Sequence, residues 1–454
     1  LPRAVNFDDE VMRIFQSIGL TEQMSQISEI GGNAHFVDTK DNIILSWMRP
    51  QKLSENNFYI GYRFHQPDLE EVLRNGLRRF PTVIKRWGSK VVDVDQNDAN
   101  AWVQYVDISS GQKHEVSASY VVGCDGARSL TRNYINSNVE DLGFREAWLV
   151  VDLILKNPKI NSSRESFHYC ELERSASSAF VGFKRKRWEF RLNPDDITEE
   201  ITKPTNVWKL LKRWIGPEDA ILERATVYTF ESLIAKQWRE SRILIAGDAA
   251  HQTPPFMGQG MCAGIRDVAN LGWKFDRIIN KNISDNLLKT YQKERYPHVK
   301  EFIELTIQMG KIINKTKTAI VAGNATNTKD GPQSLGQLKP KLGQGFFAGN
   351  REQSGKLFPQ PRLGGDILLD ERIGNRSALI LSANFQSQLS KPTTKEIEKV
   401  DIVVIVNNTN ELNEWFQNTG SQAVLIRPDR YVTGTAASET ELKELIHLYK
   451  TGVC

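Results

Sequence analysis

The chain has 454 residues, about three times a usual domain, so several domains with sizeable cores are expected rather than a small stapled scaffold. Apolar residues at 40% and charged residues at 25% exclude the composition of a disordered chain. The 59 Lys and Arg against 55 Asp and Glu leave +4, too little for a protein whose affinity rests on neutralising nucleic-acid phosphates.

Residues 8–19 predict a helix: Val11, Ile14, Phe15 and Ile18 fall at helical spacing, acids occupy the first turn, and a glycine ends it. Residues 27–62 read as strands and loops. A second helix is expected over 67–80, with Leu69, Val72, Leu73, Leu77 and Phe80 on one face. Residues 91–95, 101–107 and 114–117 form a meander that feeds a short strand at 120–123. Residues 145–235 alternate and are rich in aromatic and β-branched types, which predicts an antiparallel sheet. A buried strand at 242–246 precedes a long helical region over 262–279 and 285–313. Residues 322–350 have linker composition, and beyond them strand and helix patterns predict a small α/β domain. Apolar runs such as 148–151 and 402–406 fall far short of the roughly 18 residues that cross a bilayer, so no membrane span is expected. Cys124, Cys170, Cys262 and Cys454 form no C-x-x-C pair, which argues against a zinc site or disulfide framework and fits a reducing cytoplasm.

Two strand ends carry the chemistry, Gly123-Cys124-Asp125-Gly126 and Ala246-Gly247-Asp248-Ala249-Ala250-His251. Each sets an Asp beside glycine at the carboxyl edge of a buried strand, where open α/β sheets bind nucleotides. Glycine lets a ligand approach the backbone, and the carboxylate accepts hydrogen bonds from ribose or ribityl hydroxyls. Taken singly, either motif also reads as an ordinary turn with a capping Asp. Gly258-Gln259-Gly260-Met261-Cys262-Ala263 matches G-x-G-x-x-A, but no strand runs directly into it, so it is not a pyrophosphate loop. It can still aim helix N-terminal N–H groups at a partial negative charge, such as a flavin pyrimidine edge. His251 reads first as a structural hydrogen-bonding group rather than a proton carrier, and Cys262 as a buried, inert thiol.

Asp125-Gly126 and Gly247-Asp248, about 120 residues apart, with Pro254-Pro255-Phe256-Met257-Gly258-Gln259-Gly260-Met261 directly after, resemble the single-component FAD-dependent aromatic-ring hydroxylases of the para-hydroxybenzoate hydroxylase type. Within them the resemblance is greatest to 3-(3-hydroxyphenyl)propionate/3-hydroxycinnamate hydroxylases, supported by Gln66-Pro67-Asp68-Leu69-Glu70, Glu146-Ala147-Trp148 and Arg187-Trp188-Glu189-Phe190. The resemblance implies an α/β fold: a doubly wound FAD domain interleaved with an antiparallel substrate sheet, and a thioredoxin-like C-terminal domain. The implied boundaries are 1–140 and 236–330 for the two FAD parts, 141–235 for the sheet and 345–454 for the tail. Asp248, with Gly247 and Ala249, would hold the ribityl and pyrophosphate region of FAD. Gly258, Gln259, Gly260 and Met261 would cradle the isoalloxazine, and Arg3 and Gln66 would approach the pyrophosphate and ribityl chain. Asp125 and Gly126 would serve FAD and the co-substrate NADH or NADPH. Pro254 and Pro255 would line the flavin face. No catalytic side chain is assigned, because the flavin carries the oxygen chemistry. His168, Arg174 and Arg187 are candidates for a substrate carboxylate, although each also reads as solvated surface.

The implied reaction is hydroxylation of a phenolic acid ortho to its hydroxyl, with NAD(P)H and O2. The tail lacks a cysteine pair, so packing or homodimer contact is its expected role. The family opens with a strand, a G-x-G-x-x-G turn and a helix, and none of these is found in the chain; roughly 40 residues of that unit are expected to be absent. A fragment unable to hold flavin is therefore the alternative reading, and a related FAD oxidoreductase with another substrate is the second.

Overall fold

The computed structural model describes residues 4–157, 163–171, 173–321, 333–334, 339–348, 352–407 and 409–452. The first helix, Asp9–Ser17, is capped by Asp8, whose carboxylate accepts from Val11 N at 3.0 Å. Its apolar stripe of Val11, Met12 and Phe15 packs on Phe7, Met24, Phe64 and Cys262. The second expected helix forms over Gln66–Gly76 and tightens into a 3-10 turn at Leu77–Arg79. The meander is Ser89–Gln96, Ala101–Asp107 and Lys113–Ala118, paired antiparallel in that order.

Two sheets position the site. The smaller sets Val121–Gly123 parallel to Ile243–Ile245, with Arg239–Glu240 antiparallel on the far side. Both parallel strands deliver a glycine turn at the same edge, as the sequence motifs require. Among the described residues the larger has nine strands, in the spatial order 251–252, 220–235, 139–155, 185–191, 176–180, 166–169, 34–37, 43–47 and 333–334. It is antiparallel except where Ser166–Tyr169 meets Ala34–Val37 and where Gln333–Ser334 meets Ile43–Trp47. The sheet thus draws on residues 34–47 as well as on the segment expected for it. One face packs Leu149, Val151, Trp188 and Phe190 against the helix Pro204–Leu211. The other face looks toward the helices Gly260–Lys281 and Lys289–Val321.

The C-terminal unit has the strand order 403–407, 378–382, 423–426, 432–436, parallel across the first pair and antiparallel after it. Part of the expected linker, 322–332, 335–338 and 349–350, lies outside the described residues. The rest is no loose linker, because Leu342 and Phe346 are buried and Gly343 and Gly345 press on Lys293 and Glu294, where a Cβ would collide. That strap closes over a charge cluster. Glu294 accepts from Asn270 Nδ2 at 2.7 Å, Lys274 Nζ at 2.9 Å and the Phe346 amide at 2.9 Å, and pairs with Arg427 at 3.0 Å. Burial alone would raise the Glu294 carboxyl, but Arg427 and Lys274 hold it down at about 2.

Because the folded value lies below the ordinary glutamate value of about 4.3, the stability Glu294 contributes is complete above that pH and is lost as pH falls toward 2. Glu294→Ala should cost about 3–5 kcal/mol at pH 7, since it strands Lys274 and Arg427 in the core. Urea denaturation checks this, and an unchanged midpoint would contradict it.

Candidate active site

A cavity of about 530 Å³ opens where the glycine turns of the small sheet meet the inner face of the large one. Its nucleotide-side wall is formed by Ala4, Val5, Gln66, Gly126, Gly247, Asp248, Gly258, Gly260 and Met261, and its sheet-side wall by Val150, Arg187, Glu189 and residues 228–231. Pro254 and Pro255 lie between them. The sequence-read elements at 66, 126, 247–248, 254–255, 258 and 260–261 therefore converge on one space.

Each wall has a local cause. The turn after Ile243–Ile245 begins with Gly247 at φ +63°, a left-handed conformation that favours glycine. A Cβ on Gly264 would come within 3.2 Å of Gly247 Cα, so paired glycines let the turn seat against the helix Gly260–Lys281. Behind the turn, buried Asp267 accepts from Gly247 N at 3.0 Å and from Arg295 Nε at 2.8 Å, and its Oδ2 lies 2.7 Å from His251 Nε2. Burial would raise the Asp267 carboxyl, but His251 and Arg295 outweigh it and hold it below the ordinary range. His251 is thus a structural partner.

The helix Gly260–Lys281 presents its N-terminus to the cavity, and Gln259 provides no side-chain cap. Its first N–H groups have no intrahelical acceptor and add the positive end of the helix dipole. Gly258 holds φ +65° to make the preceding turn. A Cβ on Gly126 would meet nothing within 4 Å, and one on Gly260 only Thr253 at 4.0 Å, so bare backbone borders open space. Gln66 is fixed by accepting from Ala4 N at 2.9 Å and donating to Glu70 at 2.9 Å. A planar ring system with a partially negative edge, joined to a hydroxylated polar chain, fits this cradle; FAD has that chemistry.

Other sequence-read residues stand elsewhere. Asp125 turns its carboxylate to Ser129 Oγ at 2.6 Å and to the Thr131 N–H at 2.9 Å, at the start of the helix Leu130–Tyr134. Ala249 is buried behind the turn. Gln259 points to Asp8 and Arg266, bordering a second cavity of about 310 Å³. His168 is buried and stacked on Phe36, and burial with Arg63 and Arg49 nearby lowers it to about 4, which keeps it neutral. Arg174 is paired bidentately with Asp196 at 2.6 and 2.9 Å, away from the cavity. Arg3 lies outside the described residues. Burial, then Asp8, pushes the Cys262 thiol up, away from thiolate.

Sequence reasoning missed Asp267, Asp152, Glu189 and Tyr228. Period-2 alternation, which puts Arg187 and Glu189 on one face of a strand, was the available signal for Glu189. For Asp267 the signal was an Arg-Asp pair inside an otherwise apolar helix stripe.

The family model described as FAD binding domain matches residues 1–306, and that described as HcaD C-terminal domain matches 382–451. The chain is 33% identical to the "Probable NADH-specific resorcinol 4-hydroxylase" of Rhodococcus jostii (strain RHA1), covering 98% of this chain and 88% of that protein. It is 30% identical to the 3-(3-hydroxy-phenyl)propionate/3-hydroxycinnamic acid hydroxylase of Mycolicibacterium gilvum (strain PYR-GCK), over 96% and 83% of the two chains. Among solved structures, the flavin-dependent monooxygenase PieE in complex with FAD and substrate superposes with a TM-score of 0.82 at 16% identity, over 99% and 92% of the chains. A ternary complex of aklavinone-11 hydroxylase with FAD and aklavinone gives 0.80 at 17%, over 100% and 92%.

Asp267→Ala leaves Arg295 buried without its carboxylate and removes the acceptor of the Gly247 N–H. It should cost about 3–5 kcal/mol and release bound FAD. Chemical denaturation and flavin absorbance read the two effects; a variant that keeps both at wild-type levels would show that the turn is held by other means.

Proposed function

The chain belongs to the FAD binding domain family and is an FAD-dependent aromatic hydroxylase, and we propose that it hydroxylates a phenolic ring ortho to an existing hydroxyl, using NADH or NADPH and O2. The observation that carries this reading is the single cavity in which the glycine turns, the uncapped helix N-terminus and the inner face of the large sheet meet. Bound FAD supplies the electron transfer and oxygen activation.

The chain's own residues bind, orient and exclude. With FAD bound, the N–H groups of Gly260 and Met261 would hold the polar edge of the isoalloxazine, Asp248 would accept from hydroxyls of the ribityl chain, and Gly126 and Gly247 would let that chain approach the backbone. Pro254 and Pro255 offer no N–H to water, and with Val150 and Phe230 they make the reacting region apolar. The substrate ring would be held between the two prolines and the Val150 and Phe230 side of the large sheet, oriented for the cofactor.

The C-terminal unit, read as a thioredoxin-like frame, serves packing: Arg13 chelates Asp370 at 2.7 and 2.9 Å, and Tyr431 donates to Glu10 at 2.6 Å. A cytoplasmic setting is supported by the free thiols Cys124, Cys170 and Cys262. Among the described residues no helix is long and apolar enough to cross a membrane.

The protein loaded with FAD should oxidise NADH or NADPH faster when a phenol is added, with an oxygenated catechol-type product by mass spectrometry. Asp248→Ala should lower FAD affinity at least tenfold with the circular dichroism spectrum kept. Hydrogen peroxide as the sole product across resorcinol, 3-(3-hydroxyphenyl)propionate and other phenols would refute the reading.

A further inference from the structure

Two cavities share one wall. In the segment 4–8, Ala4 and Val5 line the cofactor cavity, whereas Asn6 and Asp8 line the second cavity of about 310 Å³. In the segment 254–261, Pro255, Gly258 and Gly260 face the first space, and Met257 and Gln259 face the second. Gln259 ties the two segments together: its Nε2 donates to Asp8 Oδ2 at 3.2 Å, and its Oε1 accepts from Arg266 Nη1 at 3.2 Å. The second cavity therefore backs onto the strip of chain that would cradle the isoalloxazine.

The ionisable groups in that second space divide by burial. Toward its open side, Glu55 pairs with Lys339 at 2.9 Å, exposed Lys341 donates to the Glu352 carbonyl, and half-buried Lys356 donates to Gln353 Oε1 at 3.3 Å. Deeper in, Arg266 is shared by two carboxylates, Asp8 Oδ2 and Glu10 Oε2, each at 2.5 Å. Glu10 also accepts from Tyr431 Oη at 2.6 Å, which brings the C-terminal unit into the same cluster. Asp9 accepts from Ser54 Oγ at 2.6 Å and Asn56 Nδ2 at 2.9 Å, and burial, then Asp8 beside it, raises its carboxyl and favours the neutral form. Arg49 differs from all of these. It is 7% exposed, its guanidinium packs over Trp47 at 5.0 Å, and its Nη1 meets no hydrogen-bond acceptor among the described residues. Burial pushes Arg49 down to about 10, which still leaves it a cation at neutral pH.

The deep charges thus balance: Asp8 and Glu10 against Arg266 and Arg49. Loss of Glu10 or of Arg49 leaves one net charge behind the cradle, positive in the first case and negative in the second. FAD that accepts a hydride gains two electrons and one proton, and so one negative charge. A charge held in a buried space acts on that added charge with little screening.

We propose that the buried cluster of Asp8, Glu10, Arg266 and Arg49 sets the reduction potential of bound FAD from behind the cradle, Arg49 favouring the reduced cofactor and Glu10 opposing it. The assignment rests on the reading of the first cavity as the FAD site and gives a tuning role to residues that line no part of that cavity.

The test is the midpoint potential of FAD bound to the full chain, read by reduction together with a dye of known potential. Glu10→Gln, which keeps the shape, should raise it, and Arg49→Gln should lower it. Each shift should be at least tenfold in the equilibrium constant against the dye, about 30 mV for a two-electron couple. Arg49→Lys, which keeps the charge, should stay close to the wild type. Shifts of the same sign in Glu10→Gln and Arg49→Gln, or no shift in either, overturn the assignment in favour of a purely structural cluster. If one of the two loses its flavin, the sign in the other and the potential of Arg49→Lys decide; loss of flavin from all three overturns it. A wild type that takes up no FAD would defeat the reading of the cradle as well, whereas hydrogen peroxide as the sole product from phenols, with the opposite shifts intact, would defeat the hydroxylation reading alone.

Discussion

Buried Asp267 is the constraint around which the nucleotide side of the molecule is built. An ionised carboxylate with no exposure is tolerable only if every direction around it supplies a donor or a cation. The fold meets that demand from three elements: the Gly247 turn, His251 on the short strand after it, and Arg295 in the helix Lys289–Val321. Asp267 itself belongs to the helix Gly260–Lys281, so satisfying one charge fixes the distance of that helix from the turn. Arg295 extends the network to the Ala263 carbonyl at 3.2 Å, near the N-terminus of the same helix. Tyr291 adds a bond to the Ile245 carbonyl at 3.0 Å. The cavity is the space left once these bonds are made.

The opposite wall depends on a different rule. In a sheet, alternate side chains go to opposite faces, and cross-strand neighbours on one face interact directly. Trp148, Val150 and Asp152 therefore share the face that Leu149, Val151 and Leu153 leave. Opposite them lie Arg187 and Glu189, and beyond those Ser177. A one-residue slip in any of these strands would exchange the charged cluster for the tryptophan core. The apolar face, packed on Val207, Leu211 and Ile215, thus specifies the register that sets Glu189 in the cavity.

The glycine turns, the helix after Gly260 and the α/β pattern were legible in the sequence because they depend on local chemistry: positive φ, end-of-strand position and helical spacing. The capping use of Asp125 was legible too, as the ordinary alternative to ligand binding. Partners far apart in sequence were not legible. Arg187 read as a candidate for a substrate carboxylate because nothing near it in sequence reveals that Asp152, on a strand 35 residues earlier, already holds it. Arg174 likewise gave no sign of Asp196, and residues 339–348 read as linker because glycine-rich composition also serves close packing, as Gly343 and Gly345 do against the helix that carries Glu294. Composition reports flexibility in the unfolded chain, and burial of Phe346 decides what it becomes in the folded one.

The same distinction explains the turn Arg427-Pro428-Asp429-Arg430-Tyr431. Its charges look like a solvent-exposed reverse turn, yet Arg427, Arg430 and Tyr431 are buried. Arg427 reaches Glu294 and Asp429, Arg430 reaches Asp370 at 2.9 Å, and Tyr431 reaches Glu10, whose other carboxylate oxygen takes Arg266 at 2.5 Å. Replacing such pairs with apolar groups of equal size is often no less stable, so stability alone does not explain them. Their geometry supplies an orientation: a guanidinium and a carboxylate bond well in few arrangements, whereas an apolar contact slides. Glu10 follows the Asp8 cap of the first helix, and Arg266 precedes Asp267 in the helix that lines the cavity. The turn therefore registers the C-terminal unit on the same two helices whose positions define the cofactor cradle, and a unit without a cysteine pair can act on the active site through the placement of those helices.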